Sequence, residues 1–351
     1  MADDPGTLAR FLDAELGGPV PITVEPMAGG GSCEVFAIER GAARWALRRA
    51  PRHASSSTAH DVLREFRILR AIMDEPVPIP RPIVSCDDPG VFGSPFYVME
   101  RIDGVPIRSS VPAAWAAAPD THGRALEELI DALVAIHAVD WRAGALRDMP
   151  HADDYLQRQT SRWLTQLVSY GGRDLPDARR IGAWLDDHRP ADQQPALCHG
   201  DYKLDNVLFA LDAPPTLLAV VDWEMASIGD PLVDLAWALI FHPGPTGTMP
   251  LGTATEPRFA VDHVPTRDEL VARYAERSRR AVADLAWYDV FARWKLGIVL
   301  EGSYAKFVRG LSDKPMHERF GAAVDLLLAS AAALIDSSPP LPRTSQRGAP
   351  T

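Results

Sequence analysis

Three oxygen-bearing side chains at short intervals mark where this chain could do chemistry. The stretch 197–238 reads L-C-H-G-D-Y-K-L-D-N-V-L-F, then a Pro-containing turn, V-V-D-W-E, and finally G-D-P-L-V-D-L-A-W-A. The apolar run Val207, Leu208, Phe209 and the run Ala219, Val220, Val221 are separated by D-A-P-P and read as a hairpin with polar residues at its ends. Asp201 precedes Asn206 by five positions, and Asp222 closes the second strand. A hard cation takes oxygen ligands, which Asn206 and Asp222 supply, while a carboxylate one loop earlier accepts the proton of an attacking hydroxyl. The set suits magnesium-assisted phosphoryl transfer.

Elements on both sides must carry these residues. Residues 7–17 form a short helix with Thr7 as cap and Gly17 as stop. Runs 22–25 and 35–39 alternate like strands, joined by M-A-G-G-G-S-C, in which Gly29, Gly30, Gly31 and Ser32 suit either a plain turn or a phosphate-covering loop. A third strand, R-W-A-L-R-R-A-P, leads to the helical pattern A-H-D-V-L-R-E-F-R-I-L-R-A-I-M. The connector P-V-P-I-P-R-P cannot be helical and precedes a strand at I-V-S-C-D-D and then P-F-Y-V-M-E-R-I-D-G. Beyond residue 113 helices dominate, including one that ends near His137 and others at 155–169 and 178–187. His137 reads as a structural helix-end histidine, Asp230 with Pro231 as an N-cap, and Asp234 as a brace for the catalytic loop. The stretch 242–265 is rich in Gly, Pro and Thr and reads as a lid or mobile loop. Helices follow at 267–282, 286–309 and 318–335, before a tail too poor in apolar residues to fold.

H-G-D-x-x-x-x-N followed by a strand-end Asp resembles the aminoglycoside phosphotransferase and choline kinase superfamily, relatives of the protein kinases. Gly200 stands where those kinases have arginine, and Asp222-Trp223-Glu224 replaces D-F-G. The resemblance covers roughly residues 20 to 335 and implies an α+β, two-lobe fold: a small antiparallel-sheet N-lobe and a mostly helical C-lobe. The lobes fall at 1–104, including the hinge, and 105–336, with a disordered tail at 337–351. It also implies ATP between the lobes and Mg2+ on Asn206 and Asp222, with Asp201 as base and Lys203 within reach of the γ-phosphate. Arg48 fills the place of the phosphate-gripping lysine, and Glu65 is its helix partner. Backbone groups of Glu100 and Ile102 face the adenine.

Composition sets outer limits. At 351 residues and 46% hydrophobic the chain has ample material for one large or two modest domains. A net charge of −11 argues against nonspecific binding to nucleic acid or an anionic membrane. The three scattered cysteines point to a reducing compartment, the cytoplasm. No secretory leader is read at the N-terminus, and the most apolar late run, 326–335, is too short to span a bilayer.

The expected activity is phosphoryl transfer from ATP to a hydroxyl of a small acceptor. The motifs L-R-R-A-P, S-P-F-Y-V-M-E and H-G-D-Y-K-L-D-N resemble the branch containing kinase-like domains fused to acyl-CoA dehydrogenases. That resemblance points to a hydroxyacyl-CoA-type metabolite, and the aromatic and basic mixture of 286–309 suits such an acceptor. Two alternatives stand beside it: an aminoglycoside phosphotransferase, and a regulatory module that binds ATP without turnover.

Overall fold

In the computed structural model, residues 4–27, 33–51, 61–108, 110–150, 154–191, 193–243 and 259–337 are described. Alternating apolar positions make β1 (Ile22–Pro26), β2 (Glu34–Arg40), β3 (Ala43–Arg49), β4 (Pro82–Cys86) and β5 (Phe96–Glu100). They form one antiparallel sheet in the order β1-β2-β3-β5-β4. One sheet face buries Phe36, Ile38, Leu47, Val84, Phe96 and Val98 against Leu8 and Leu12 of α1 (Pro5–Leu16) and Phe92 of α3 (Pro89–Phe92). The helix α2 (Val62–Ile72) packs on β4 and β5. The cap of α1 is Asp4, not Thr7: its carboxylate accepts the amides of Gly6 and Thr7, and Pro5 supplies the preset first turn.

The remainder is mostly helical, through α4 (Ala113–Ala116), α5 (Gly123–Ala138), α6 (Tyr155–Ser169), α7 (Pro176–Asp187), α8 (Pro231–Ile240), α9 (Arg267–Ser278), α10 (Leu285–Val308) and α11 (Pro315–Ser337). Every residue of α8 is buried, and α10 is covered by α6, α7, α8 and α11, which explains why neither helix carries a clean polar face. Two short antiparallel pairs interrupt the helices: β6 (Ala196–Cys198) with β9 (Ser227–Gly229), and the hairpin β7 (Val207–Phe209) with β8 (Leu217–Val220). The architecture is the expected one, α+β with a sheet lobe and a helical lobe. The lobes meet at the hairpin. Val105 and Phe209 exchange backbone hydrogen bonds of 2.9 Å, and the Val220 amide reaches the Pro78 carbonyl at 2.8 Å.

Three boundaries differ from the sequence expectation. The helix α9 stops at Ser278 because Arg279 turns left-handed, with φ 55°. The helix α11 runs 23 residues, long and apolar enough by length and composition to cross a bilayer, whereas only its second half reads as an apolar run. Its buried face, including Val324, Leu327 and Leu328, belongs to the core it shares with α10. That helix includes Ser337, and the rest of the expected tail, like most of the expected lid (244–258), lies outside the described residues.

Candidate active site

The loop after β6 is fixed by its backbone before any side chain acts. Gly200 has φ +86°, and a Cβ there would stand 2.4 Å from the Met225 carbonyl oxygen, so the arginine found in protein kinases has no room. Asp234 of α8 accepts the His199 amide at 2.5 Å and the Gly200 amide at 2.9 Å. The helix is aimed by Asp230, which caps it through the Leu232 amide at 2.9 Å. Burial pushes the Asp234 carboxyl up, but His137, whose Nε2 lies 3.7 Å from its Oδ2, together with His199 and the Gly200 amide, outweighs this and holds it below the ordinary carboxylate range. His199 ties the loop to the second hairpin strand. Its Nε2 donates to the Val221 carbonyl at 3.0 Å and its Nδ1 accepts the Asp201 amide at 3.3 Å, a pattern that one tautomer satisfies.

Asp201 emerges from this frame fully engaged. Lys203 Nζ donates to Oδ1 at 2.8 Å and Oδ2 at 2.6 Å, Trp237 Nε1 to Oδ1 at 2.9 Å, and Asn206 Nδ2 to Oδ2 at 2.8 Å. Burial alone would raise its pKa, but the positive charge and hydrogen bond of Lys203, with His199 and Lys295, hold it below the ordinary value. Such a carboxylate is ionised at neutral pH and orients a hydroxyl more than it attracts the proton early. Asn206 also donates to the Asp201 carbonyl at 2.8 Å, which commits its amide nitrogen and leaves Oδ1 as the oxygen to offer a cation. The Val221 amide bonds the Asn206 carbonyl at 2.9 Å, so the residue before Asp222 is anchored beside Asn206. Asp222 itself is left-handed, φ 69°, a conformation that is tolerable for Asp and here is held by contacts on both sides.

Arg48 reaches across from the sheet lobe. Its Nε lies 2.9 Å from Glu65 Oε2, its terminal nitrogen donates to Asp222 Oδ1 at 2.6 Å, and the same nitrogen is 3.6 Å from Glu224. Glu65 Oε1 in turn accepts the Trp223 amide at 2.9 Å. Burial is the largest influence on the Glu65 carboxyl and lifts it to about 7 against the pull of Arg48. Arg64 adds hydrogen bonds to the carbonyls of Glu224 and Ala226, so α2 and the turn after Asp222 move as one piece.

The structure therefore brings Asp201, Lys203, Asn206, Asp222, Arg48 and Glu65 into one connected set. Lys203 is turned onto Asp201. At the hinge the Glu100 amide is committed to the Arg81 carbonyl at 2.8 Å, so of Glu100 only the carbonyl can serve a base, while Ile102 lies in the irregular segment that follows β5. Gly29, Gly30, Gly31 and Ser32 lie outside the described residues.

Two site residues escape the motifs, Trp237 and Lys295. Trp237 lies three positions after Asp234 on α8, a spacing that puts both side chains on the face toward the catalytic loop. Lys295 of α10 is buried, donates to the Gly200 carbonyl at 3.0 Å, and sits 4.2 Å from the Trp237 ring centroid. Of the basic and aromatic residues of 286–309, Lys295 meets the catalytic loop while the tryptophans pack inside. Trp287 and Trp294 are core residues whose indoles bond the carbonyls of Leu185 and Ala178, and Lys306 and Arg309 sit roughly 16 and 21 Å further along the helix axis than Lys295. His137, Cys198 and Asp234 offer ligand atoms within 4.8 Å of one another, yet both Asp234 oxygens already hold the catalytic loop and burial keeps the Cys198 thiol protonated. His137 bonds the Tyr274 hydroxyl at 2.7 Å, in line with a structural role.

Residues 23–291 match the phosphotransferase enzyme family, APH. The chain belongs to that family. As an APH-family member it is 30% identical over 332 residues to acyl-CoA dehydrogenase family member 11 of Gallus gallus, an alignment covering 92% of this chain and 42% of the chicken protein. The chain thus spans less than half of that relative. It is also 32% identical over 176 residues to viomycin phosphotransferase of Streptomyces vinaceus, covering 48% and 58% of the two chains. In fold it is similar to a crystal structure from Ralstonia eutropha, a candidate aminoglycoside phosphotransferase, with TM-score 0.79 and 23% identity over 96% of this chain and 100% of the other. The family is one of phosphotransferases, and the likeness to the solved structure shows the shared kinase-like fold.

Proposed function

We propose that this APH-family chain transfers the γ-phosphoryl group of ATP to a hydroxyl of a small acceptor of hydroxyacyl type. The observation that carries the reading is the Asp201 carboxylate, held by Lys203, Trp237 and Asn206 on a loop that is itself fixed to Val221, the residue before Asp222. Asp201 receives the acceptor hydroxyl in a hydrogen bond, aims its oxygen at the γ-phosphorus, and takes the proton as the new P–O bond forms and the bond to the departing ADP oxygen breaks. Asn206 Oδ1 and the Asp222 carboxylate are hard oxygen donors that fit Mg2+, which when bound offsets the negative charge of the phosphates. Arg48, fixed by Glu65, presents its guanidinium to phosphate oxygens, and Lys203 passes between Asp201 and the γ-phosphate. The hinge carbonyl of Glu100 and the backbone of Ile102 face the base.

The acyl character of the acceptor is supported by the name of the Gallus gallus relative and by the motifs shared with that branch. The three buried cysteines, Cys33, Cys86 and Cys198, support work in a reducing compartment such as the cytoplasm. The test is a γ-labelled ATP assay over hydroxyacyl-CoAs, aminoglycosides, macrolides, choline and sugars. Label should pass to a hydroxyacyl-CoA. Label appearing on kanamycin-type compounds alone would refute the acyl reading.

A further inference from the structure

The acceptor side of the site holds a buried positive charge that the phosphotransfer chemistry itself does not use. Lys295 is 6% exposed and reaches the catalytic loop from α10 at Gly200, the residue before Asp201. An ammonium has three N–H donors, and among the described residues the Gly200 carbonyl is the one hydrogen-bond acceptor that Lys295 meets. Its walls are indole faces, Trp237 at 4.2 Å and Trp163 at 5.5 Å from Nζ to the ring centroids. Trp163 is 7% exposed, and its Nε1–H is buried with no hydrogen-bond partner among the described residues. A buried indole donor without an acceptor, on the ring that walls an ammonium with one hydrogen bond, is unfavourable unless something brings an acceptor oxygen there, and the Lys295 charge is close enough to Asp201 to help hold its carboxyl down.

We propose that Lys295 and the Trp163 indole N–H form an oxygen-binding subsite that receives the carbonyl or carboxylate oxygen of a hydroxyacyl acceptor while its hydroxyl lies on Asp201. The inference rests on the reading of Asp201 as the residue that faces the acceptor, and it adds what the rest of the acceptor must carry. Burial and the neighbouring positive charges bring the Lys295 pKa down to about 8, with Asp201 and Asp234 opposing, so the group is largely cationic at neutral pH. The same charge disfavours polyamines at this subsite. A polycationic aminoglycoside would have to place ammonium groups against a buried cation in a poorly screened setting.

The probes are matched pairs of equal chain length: 2-, 3- and 4-hydroxybutyryl-pantetheine, the corresponding free hydroxybutyrates, and butane-1,2-, 1,3- and 1,4-diol. Each is measured by calorimetric binding to the full chain with Mg2+ and a non-hydrolysable ATP analogue, and by kcat/KM in the label-transfer assay. Wild type should favour at least one carbonyl-bearing probe over its diol by tenfold or more, and thioester against free acid shows which oxygen source the subsite takes. Lys295→Met and, separately, Trp163→Phe should each shrink that preference at least fivefold, Lys295→Arg should keep most of it, and kanamycin binding should rise in Lys295→Met. If Lys295→Met fails to fold, Trp163→Phe and Lys295→Arg decide the matter by the same ratio. A preference that stays within twofold in these variants, or a wild type that binds diols as well as carbonyl-bearing partners, overturns the subsite. Binding with the stated preference but no label transfer would keep the subsite and overturn the proposed reaction.

Discussion

Replacing Asp234 by alanine removes the group that fixes the catalytic loop, and the size of the effect can be worked from its bonds. The carboxylate is fully buried and accepts two backbone amides, His199 at 2.5 Å and Gly200 at 2.9 Å. Alanine leaves both amides buried without an acceptor, at about 1 to 3 kcal/mol each, so Asp234→Ala should lose about 2 to 6 kcal/mol of unfolding free energy. Total stabilities are typically about 5 to 15 kcal/mol, which makes this a large fraction. Asp234→Asn retains one acceptor oxygen and turns an NH2 toward the other amide, so it should fall between wild type and alanine. Urea unfolding followed by tryptophan fluorescence and by far-UV circular dichroism gives the free energies, and ATP turnover on the same samples reports the loop. Because the same bonds orient Asp201, turnover should drop in the order wild type, Asn, Ala, even at temperatures where all three are folded. A midpoint for Asp234→Ala within experimental error of wild type would refute the bracing argument. So would full turnover in a variant that is measurably destabilised.

Four further outcomes are expected. Arg48→Lys should weaken binding of Mg2+ and an ATP analogue by about tenfold or more in calorimetry, since a single ammonium cannot meet Glu65 and Asp222 together as the guanidinium fork does; unchanged affinity would count against the bridging role. Gly200→Ala should lower the thermal midpoint and turnover together, because φ +86° and the approach to the Met225 carbonyl both forbid a Cβ; a neutral result would mean that the loop can shift. Burial holds the His137 pKa below that of the free side chain, so its contribution to stability is present above about pH 6.5 and is lost as pH falls toward its folded value; urea midpoints at pH 7.5, 6.5 and 5.5 should decline, and less steeply in His137→Gln. Burial lowers Lys295 to about 8, facing Asp201, Asp234, Arg162 and Lys203, so the preference for carbonyl-bearing over diol acceptors should fade as pH rises past about 8; a preference flat to pH 9.5 would contradict it.

What the sequence made legible follows from how local each signal is. Strand alternation, caps and helical spacing are decided within a few residues, and most elements lie within a few positions of their expected ends. The H-G-D-x-x-x-x-N spacing fixes Asp201 and Asn206 within a single loop, so their contact could be anticipated from chain geometry alone. The meeting of Arg48 with Glu65 and Asp222 joins three separate segments and was accessible through resemblance, not through periodicity. Lys295 belongs to the basic and aromatic stretch 286–309 whose composition suggests an acceptor wall, but its contact with Gly200 is not legible there, because Gly200 is distant in the chain and contributes only a carbonyl. A signal did exist: Asp289, Arg293, Lys295 and Glu301 are charged residues spaced through the largely apolar first four-fifths of the helix, and a buried charge in such a helix needs a partner. Trp287, Tyr288, Phe291 and Trp294 of the same helix fill the core, the commoner use of aromatics at helical spacing. Trp237 was similarly hidden, since a tryptophan in an apolar run looks like packing until its indole N–H is found on Asp201.

The central claim is that Asp201 orients and deprotonates the acceptor hydroxyl. Asp201→Asn keeps the size of the side chain and an oxygen for hydrogen bonding, and removes the charge that takes the proton. With an accepted hydroxylated substrate and γ-labelled ATP, single-turnover transfer by Asp201→Asn should be about 10²- to 10⁴-fold slower than by wild type, with binding of Mg2+ and the ATP analogue retained. Transfer within tenfold of wild type would contradict the assignment.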